Sequence, residues 1–210
     1  VRETLALLDE ARERYRRRGT LSAVGLSATT GAGKTIIATA IIEAILNGSE
    51  EFGQAADPDA VFLWMTDLPD LNRQTADKMM TAGPNWPAGT IVEVDTTFVE
   101  PRLTPGRIYF LNTQKLASGS GLTKRGPAVK RNYNFYDIVR STIEDEPRRM
   151  LYLIVDEAHR GMAQDSKATT PAPEKSGNWE RGEGHRGGHD KQGREGYGRH
   201  GGGMMWMLHG

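Results

Sequence analysis

The sequence has no cysteine among its 210 residues, which excludes disulfides and thiolate metal sites and fits a reducing, cytoplasmic setting. Long hydrophobic runs are missing too. Nothing approaches the ~20 apolar residues that cross a bilayer, and the N-terminus has no signal-peptide core. The longest apolar helix, 36–46, is short and carries Glu43, so a soluble chain with no membrane partner is expected. Charge of one sign is absent: 27 Lys and Arg balance 27 Asp and Glu. No global field therefore advertises a polyanionic partner, and any nucleic-acid contact must come from local patches. The first residue is Val1 rather than Met, as an alternative start or a cut end would leave it. The length allows one domain with a sizeable core and some residues beyond it.

What is present centres on Ala28-Thr29-Thr30-Gly31-Ala32-Gly33-Lys34-Thr35. An apolar run, 21–26, precedes it and an apolar helix opens at Ile36. Strand, glycine-bearing loop and helix N-terminus are the setting of a phosphate-binding loop. Amides at a helix start have no internal partner, and the helix dipole adds partial positive charge there. Gly31 and Gly33 let the main chain approach phosphate oxygens closely. Lys34 is long enough to reach the β- and γ-phosphates of ATP, and the Thr35 hydroxyl suits Mg²⁺. The strict pattern has glycine where Ala28 stands. The alternative is a chance Gly-Lys-Thr at a helix start; the flanking strand and helix weigh against it.

A second motif weighs further. Residues 151–155 are five consecutive apolar residues with Ile154 and Val155, a strand buried on both faces. Asp156 and Glu157 follow it directly. Two adjacent carboxylates at such a strand end repel each other unless a cation is shared: Asp156 on Mg²⁺, Glu157 on the attacking water. A strand that merely ends in solvated acids is the bland alternative.

Along the chain, residues 2–18 read as a helix with Leu5, Leu8 and Tyr15 on one face and Arg12, Arg14, Arg16, Arg17 and Arg18 before the stop at Gly19. The arginines form a solvated face or a nucleic-acid patch; the former is the simpler reading. A helix to about residue 46 ends at Asn47-Gly48. A buried strand is expected over 60–66, then a helix from Pro69 to about residue 80. Residues 90–95 suit an outer strand, and 107–112 a buried one ending in Thr113-Gln114. Residues 117–130 are glycine-rich and irregular, with Lys115, Lys124, Arg125, Lys130 and Arg131 in or beside them. Residues 133–146 read as a helix burying Phe135, Ile138, Val139 and Ile143. Strands alternating with helices indicate an α/β, doubly wound, mainly parallel sheet.

Asp156-Glu157-Ala158-His159 matches the DEAH box of superfamily 2 helicases and translocases, and residues 29–35 resemble their motif I. Residues 61–67, followed by Leu71-Asn72-Arg73-Gln74-Thr75, resemble motif Ia and its helix. Residues 108–116 are similar to the following strand in helicase subunits of type III-like restriction enzymes. The resemblance covers roughly residues 20–162. It implies a P-loop NTPase of RecA-like fold, the first such domain of a helicase, with ATP and Mg²⁺ as cofactors. Double-stranded DNA and other restriction-enzyme subunits are the implied partners. Thr30, Gly31, Ala32, Gly33, Lys34 and Thr35 would hold the phosphates, Thr35 and Asp156 the Mg²⁺, with Lys34 and Glu157 catalytic. His159 would couple the nucleotide to a second domain. Thr66, Asp67, Thr113, Gln114 and Lys115 would lie along the nucleic-acid backbone; for Thr66 and Asp67 a plain helix cap is the alternative.

The chain departs from that family in three respects. No glutamine that reads adenine lies upstream of motif I; the first is Gln54. No Ser-Ala-Thr motif follows the DEAH box, and no second RecA-like domain with its arginine finger follows either. Three segments are expected: an N-terminal helix (1–19), the ATP-binding domain (20–162) and a tail (163–210). The tail is rich in Gly, His, Arg and Glu, too polar to offset its ordering entropy, so disorder is expected there. A shifted reading frame in a G+C-rich gene would also produce it. His185, His189 and His200 lack elements to fix a metal geometry. The leading reading is an ATP-dependent DNA helicase or translocase module, weak by itself. The alternative is a non-hydrolysing nucleotide-binding remnant or interaction module. A P-loop kinase is disfavoured because no acceptor lid is evident.

Overall fold

Burial is nearly continuous along the inner strands Val61–Thr66, Ile108–Asn112 and Met150–Val155 because a layer packs on each side of them. In this computed structural model, which describes residues 1–27, 33–83, 86–126, 132–144, 149–156 and 202–209, six strands form one sheet. The elements run α1 (Arg2–Arg18), β1 (Ala23–Ser27), α2 (Lys34–Asn47), β2 (Val61–Thr66), α3 (Pro69–Ala82), β3 (Ile91–Val94) and β4 (Ile108–Asn112). A 3₁₀ turn (Thr113–Leu116), α4 (Phe135–Glu144), β5 (Met150–Val155) and β6 (Gly202–His209) follow. The order across the sheet is β1-β6-β5-β2-β4-β3, and each neighbouring pair is parallel. The expected α/β, doubly wound parallel architecture is present.

Phe62, Trp64, Ile108, Phe110, Tyr152 and Ile154 pack with apolar residues of α1, α2 and α3 on one face. Val61, Leu63, Tyr109, Leu111 and Leu151 pack with Phe135 and Ile138 of α4, and with Phe98, Leu103 and Leu122 from loops, on the other. Two aromatic stacks, Phe62 on Tyr152 at 4.9 Å and Trp64 on Phe110 at 5.6 Å, tie neighbouring strands together on the first face. Moving outward through α2 and α3, the chain stays on that face. Returning from β3 to β4 and through α4 to β5, it uses the other, so these crossovers share one hand, as parallel sheets require. All six strands consequently end at one edge.

Local signals stop the helices where the sequence places their ends. Gly19 takes φ 65° and donates its N–H to Tyr15 O at 2.7 Å, a left-handed C-cap. Pro69 begins α3, where its missing N–H has no bond to lose. Among the described residues, no helix is long and apolar enough to cross a membrane.

Two expectations are corrected. The tail is not structureless throughout: Gly202–His209 is a strand that fills the gap between β1 and β5, with Met205 opposite Ala23 and Leu153. The apolar run 204–208 has strand length, and two unpaired backbone edges beside it satisfy its hydrogen bonds on both sides. The domain therefore draws a central strand from beyond residue 162. Residues 157–201, including His185, His189 and His200, lie outside the described residues.

The second correction concerns Arg12, which is not part of a solvated arginine face. Its side chain is 13% exposed and pairs with Asp9 and, at 3.7 Å, with Asp57. Its charge also acts on the buried Tyr152 phenol. Burial pushes the Tyr152 phenol up to about 12, with Arg12 pulling weakly the other way. Arg12 thus anchors α1 to β5 and to the loop before β2.

Candidate functional site

The N-terminus of α2 is built from Gly33, Lys34 and Thr35. Gly33 is the N-cap, in the left-handed region at φ 77°, and makes no side-chain cap because it has no side chain. No acidic residue lies in the first turn. The opening amides of the helix therefore meet no carboxylate from their own turn, and the dipole favours an anion there. Behind this end, Ala38, Ile41, Ile42, Ala44 and Ile45 are buried against the sheet, which holds the helix axis fixed. Thr39 Oγ1 donates to Thr35 O at 2.7 Å, adding a side-chain bond within the turn. Thr30, Gly31 and Ala32 lie outside the described residues.

Asp156 follows β5 directly. Its N–H donates to Met65 O at 3.0 Å, extending the β5–β2 ladder by one bond and fixing the backbone that carries the carboxylate. Met150, Tyr152 and Ile154 are buried on the helical face, so β5 cannot slip in register without exposing them. Glu157 and His159 lie outside the described residues.

β1 and β5 flank β6, so the strand that precedes α2 and the strand leading to Asp156 are about 10 Å apart, two inter-strand spacings. Ser27 is level with His209, and Val155 with Met207. Both strands thus end at nearly the same height on the same edge. His209 ends β6 between them, a register position that the sequence reading did not single out. Among the described residues no group of three or more His, Asp or Glu is placed to hold a metal ion. One carboxylate with one hydroxyl instead suits Mg²⁺, which keeps waters and phosphate oxygens in its shell. The residues present fit a magnesium nucleotide.

Farther along the same edge stand the residues expected along nucleic acid. Thr66 is 1% exposed; its Oγ1 donates to Leu68 O at 3.0 Å and lies 2.8 Å from Asn72 Oδ1. This hydroxyl is buried and engaged within the fold, where it ties β2 to α3. The N-cap of α3 is Leu68, without a side-chain cap bond, so neither Thr66 nor Asp67 caps the helix. Asp67 and Thr113 are half-buried. Gln114 is exposed, and its Nε2 donates to Asp67 O at 3.0 Å. Lys115 Nζ donates to Val94 O at 3.0 Å and pairs with Glu93 at 3.5 Å.

Asn112, which the sequence reading passed over, caps the 3₁₀ turn by accepting the Gln114 N–H at 2.9 Å. The signal was available: an Asn at a strand end commonly bonds the backbone two residues on. Of the scattered basic residues, Lys124 and Arg125 are exposed and Arg125 pairs with Asp137 at 3.5 Å. Lys130 and Arg131 lie outside the described residues.

A family model described as the res subunit of type III restriction enzymes matches residues 3–181. The match takes in α1 and runs past residue 162. No curated protein and no solved structure matches the chain.

Proposed function

Because the chain belongs to the family of type III restriction enzyme res subunits, we propose that it is the ATP-binding motor domain of a DNA translocase or helicase. The family makes it an ATP-dependent, nucleic-acid-related helicase domain; the DNA, the DEAH-box chemistry and the restriction role are the finer reading. One observation carries this reading. The strand that leads towards the glycine-started N-terminus of α2 and the strand that leads into Asp156 end at the same sheet edge, with one strand between them.

Each residue then has a task. The amides of Thr30, Gly31, Ala32 and Gly33 hold the β- and γ-phosphates, and Lys34 neutralises charge that grows on the transferring phosphoryl. Thr35 Oγ1 and the Asp156 carboxylate would hold Mg²⁺, which would neutralise charge on the phosphate oxygens. Glu157 orients the water that adds to the γ-phosphorus as the bond to the bridging oxygen breaks, and accepts its proton. His159 links the site to a second RecA-like domain. An arginine from such a domain is worth roughly 10³–10⁵ in rate. Double-stranded DNA would run along Asp67 and Thr113, with Gln114 and Lys115 holding that edge together. Other restriction-enzyme subunits are the chain's proposed protein partners.

Substitution tests this reading. Lys34→Ala should abolish ATP binding, whereas Glu157→Gln should keep binding and remove phosphate release, stimulated or not by DNA. Equal nucleotide affinity in the wild type and Lys34→Ala contradicts it. Tight binding with no phosphate release under any condition favours a non-hydrolysing nucleotide module instead.

A further inference from the structure

The 3₁₀ turn Thr113–Leu116 crosses three strand ends and is held at each. Gln114 N–H donates to Asn112 Oδ1 at 2.9 Å, folding the turn back over β4. Gln114 Nε2 donates to Asp67 O at 3.0 Å, just beyond β2. Lys115 Nζ donates to Val94 O at 3.0 Å, at the end of β3. Of the three anchors, Asn112 and Val94 are buried, 1% and 0% exposed, and Asp67 is half-buried.

The same stretch of β2 also receives the nucleotide side. Asp156 N–H donates to Met65 O at 3.0 Å, and Asp67, which Gln114 holds, is two residues further on. Between them Thr66 is tied to Asn72 of α3. A shift of the Asp156 backbone therefore moves Met65, and through the short, close-packed step 65–67 it moves the point that Gln114 grips. Close-packed segments have few alternative arrangements and transmit strain rather than absorb it.

We propose that Gln114 is a positioning residue, a strap that makes the DNA-facing edge respond to the nucleotide through the Asp156–Met65 and Gln114–Asp67 bonds. The inference rests on the helicase reading above. It also reassigns Gln114, whose amide grips the protein's own backbone instead of DNA. Because Gln114 is exposed, replacing it removes the strap without opening the core.

The test is a coupling measurement. A labelled random-sequence DNA duplex is titrated with the full chain, with and without a non-hydrolysable ATP analogue and Mg²⁺. The ratio of the two DNA dissociation constants is the coupling factor, and it must equal the reciprocal effect of DNA on nucleotide affinity. The wild-type ratio should differ from one by about 5-fold or more. In Gln114→Ala and in the isosteric Gln114→Glu it should fall to one, with nucleotide affinity without DNA and melting temperature unchanged. A variant that keeps the wild-type ratio overturns the strap. So does one that loses DNA affinity equally in both nucleotide states, since that is the signature of a direct contact. A wild type that binds nucleotide but not DNA, or with a ratio of one, overturns the helicase reading and the strap with it.

Discussion

Gly33 shows how much one residue contributes to the edge where the strands end. At φ 77° it adopts a backbone that side chains disfavour, yet an added Cβ would find Ile36 no nearer than 3.9 Å. The cost of Gly33→Ala is therefore conformational rather than steric, about 1 kcal/mol or somewhat more. It should appear as a lower melting temperature and weaker ATP binding. Gly25 is the control: it lies in β1 with no positive φ and open space around its would-be Cβ. Gly25→Ala should be neutral or stabilising by up to about 1 kcal/mol, since glycine in a strand loses more backbone entropy than alanine. The start of α2 after Gly33 and the end of β5 before Asp156 were legible because each belongs to a short local pattern. Thr66 was not, because its fate depends on Asn72 six residues on and on burial that no motif encodes.

Among the elements, α1 best separates what local sequence settles from what packing settles. Five arginines in seven positions read as one polar run, yet Arg12 turns inward because Asp57 and Tyr152 wait there. A spacing signal existed. Leu5, Leu8 and Arg12 follow the i, i+3, i+7 pattern, so position 12 lies on the apolar stripe. Arg16 and Arg17 pair with Glu13 at 3.5 and 3.6 Å on exposed ground, where such pairs contribute little. Arg12→Ala, which leaves Asp57 without its ion-pair partner, should destabilise the domain by about 3 kcal/mol. Arg16→Ala and Arg17→Ala should each stay within about 0.5 kcal/mol in urea unfolding. The helices and the strands β1 to β5 were readable to within a few residues, since apolar period, Gly19, Gly48 and Pro69 all act locally.

Across the whole molecule, the order of strands was beyond sequence reasoning, because β6 comes from a run of residues separated from β5 by 157–201. Surrounded by glycine, histidine and arginine, the apolar run 204–208 has no local partner. Its role follows from the gap that β1 and β5 leave between them. Removing residues 202–210 should leave two inner edges unpaired, exposing backbone groups and apolar faces together. The shortened chain should lose its cooperative melting transition or aggregate. A truncated chain that melts at the full-length temperature would show that β6 adds nothing to the domain.

The distant pieces joined by this sheet, Gly33-Lys34-Thr35 on one side of β6 and Asp156 on the other, are proposed to hold one magnesium nucleotide. Titration of a fluorescent ATP analogue with and without Mg²⁺, in the wild type and in Asp156→Asn, tests this most directly. Mg²⁺ should tighten binding in the wild type and leave Asp156→Asn, whose metal-free affinity matches the wild type, nearly unaffected. Full tightening by Mg²⁺ in Asp156→Asn would mean that Asp156 and Lys34 do not serve the same site.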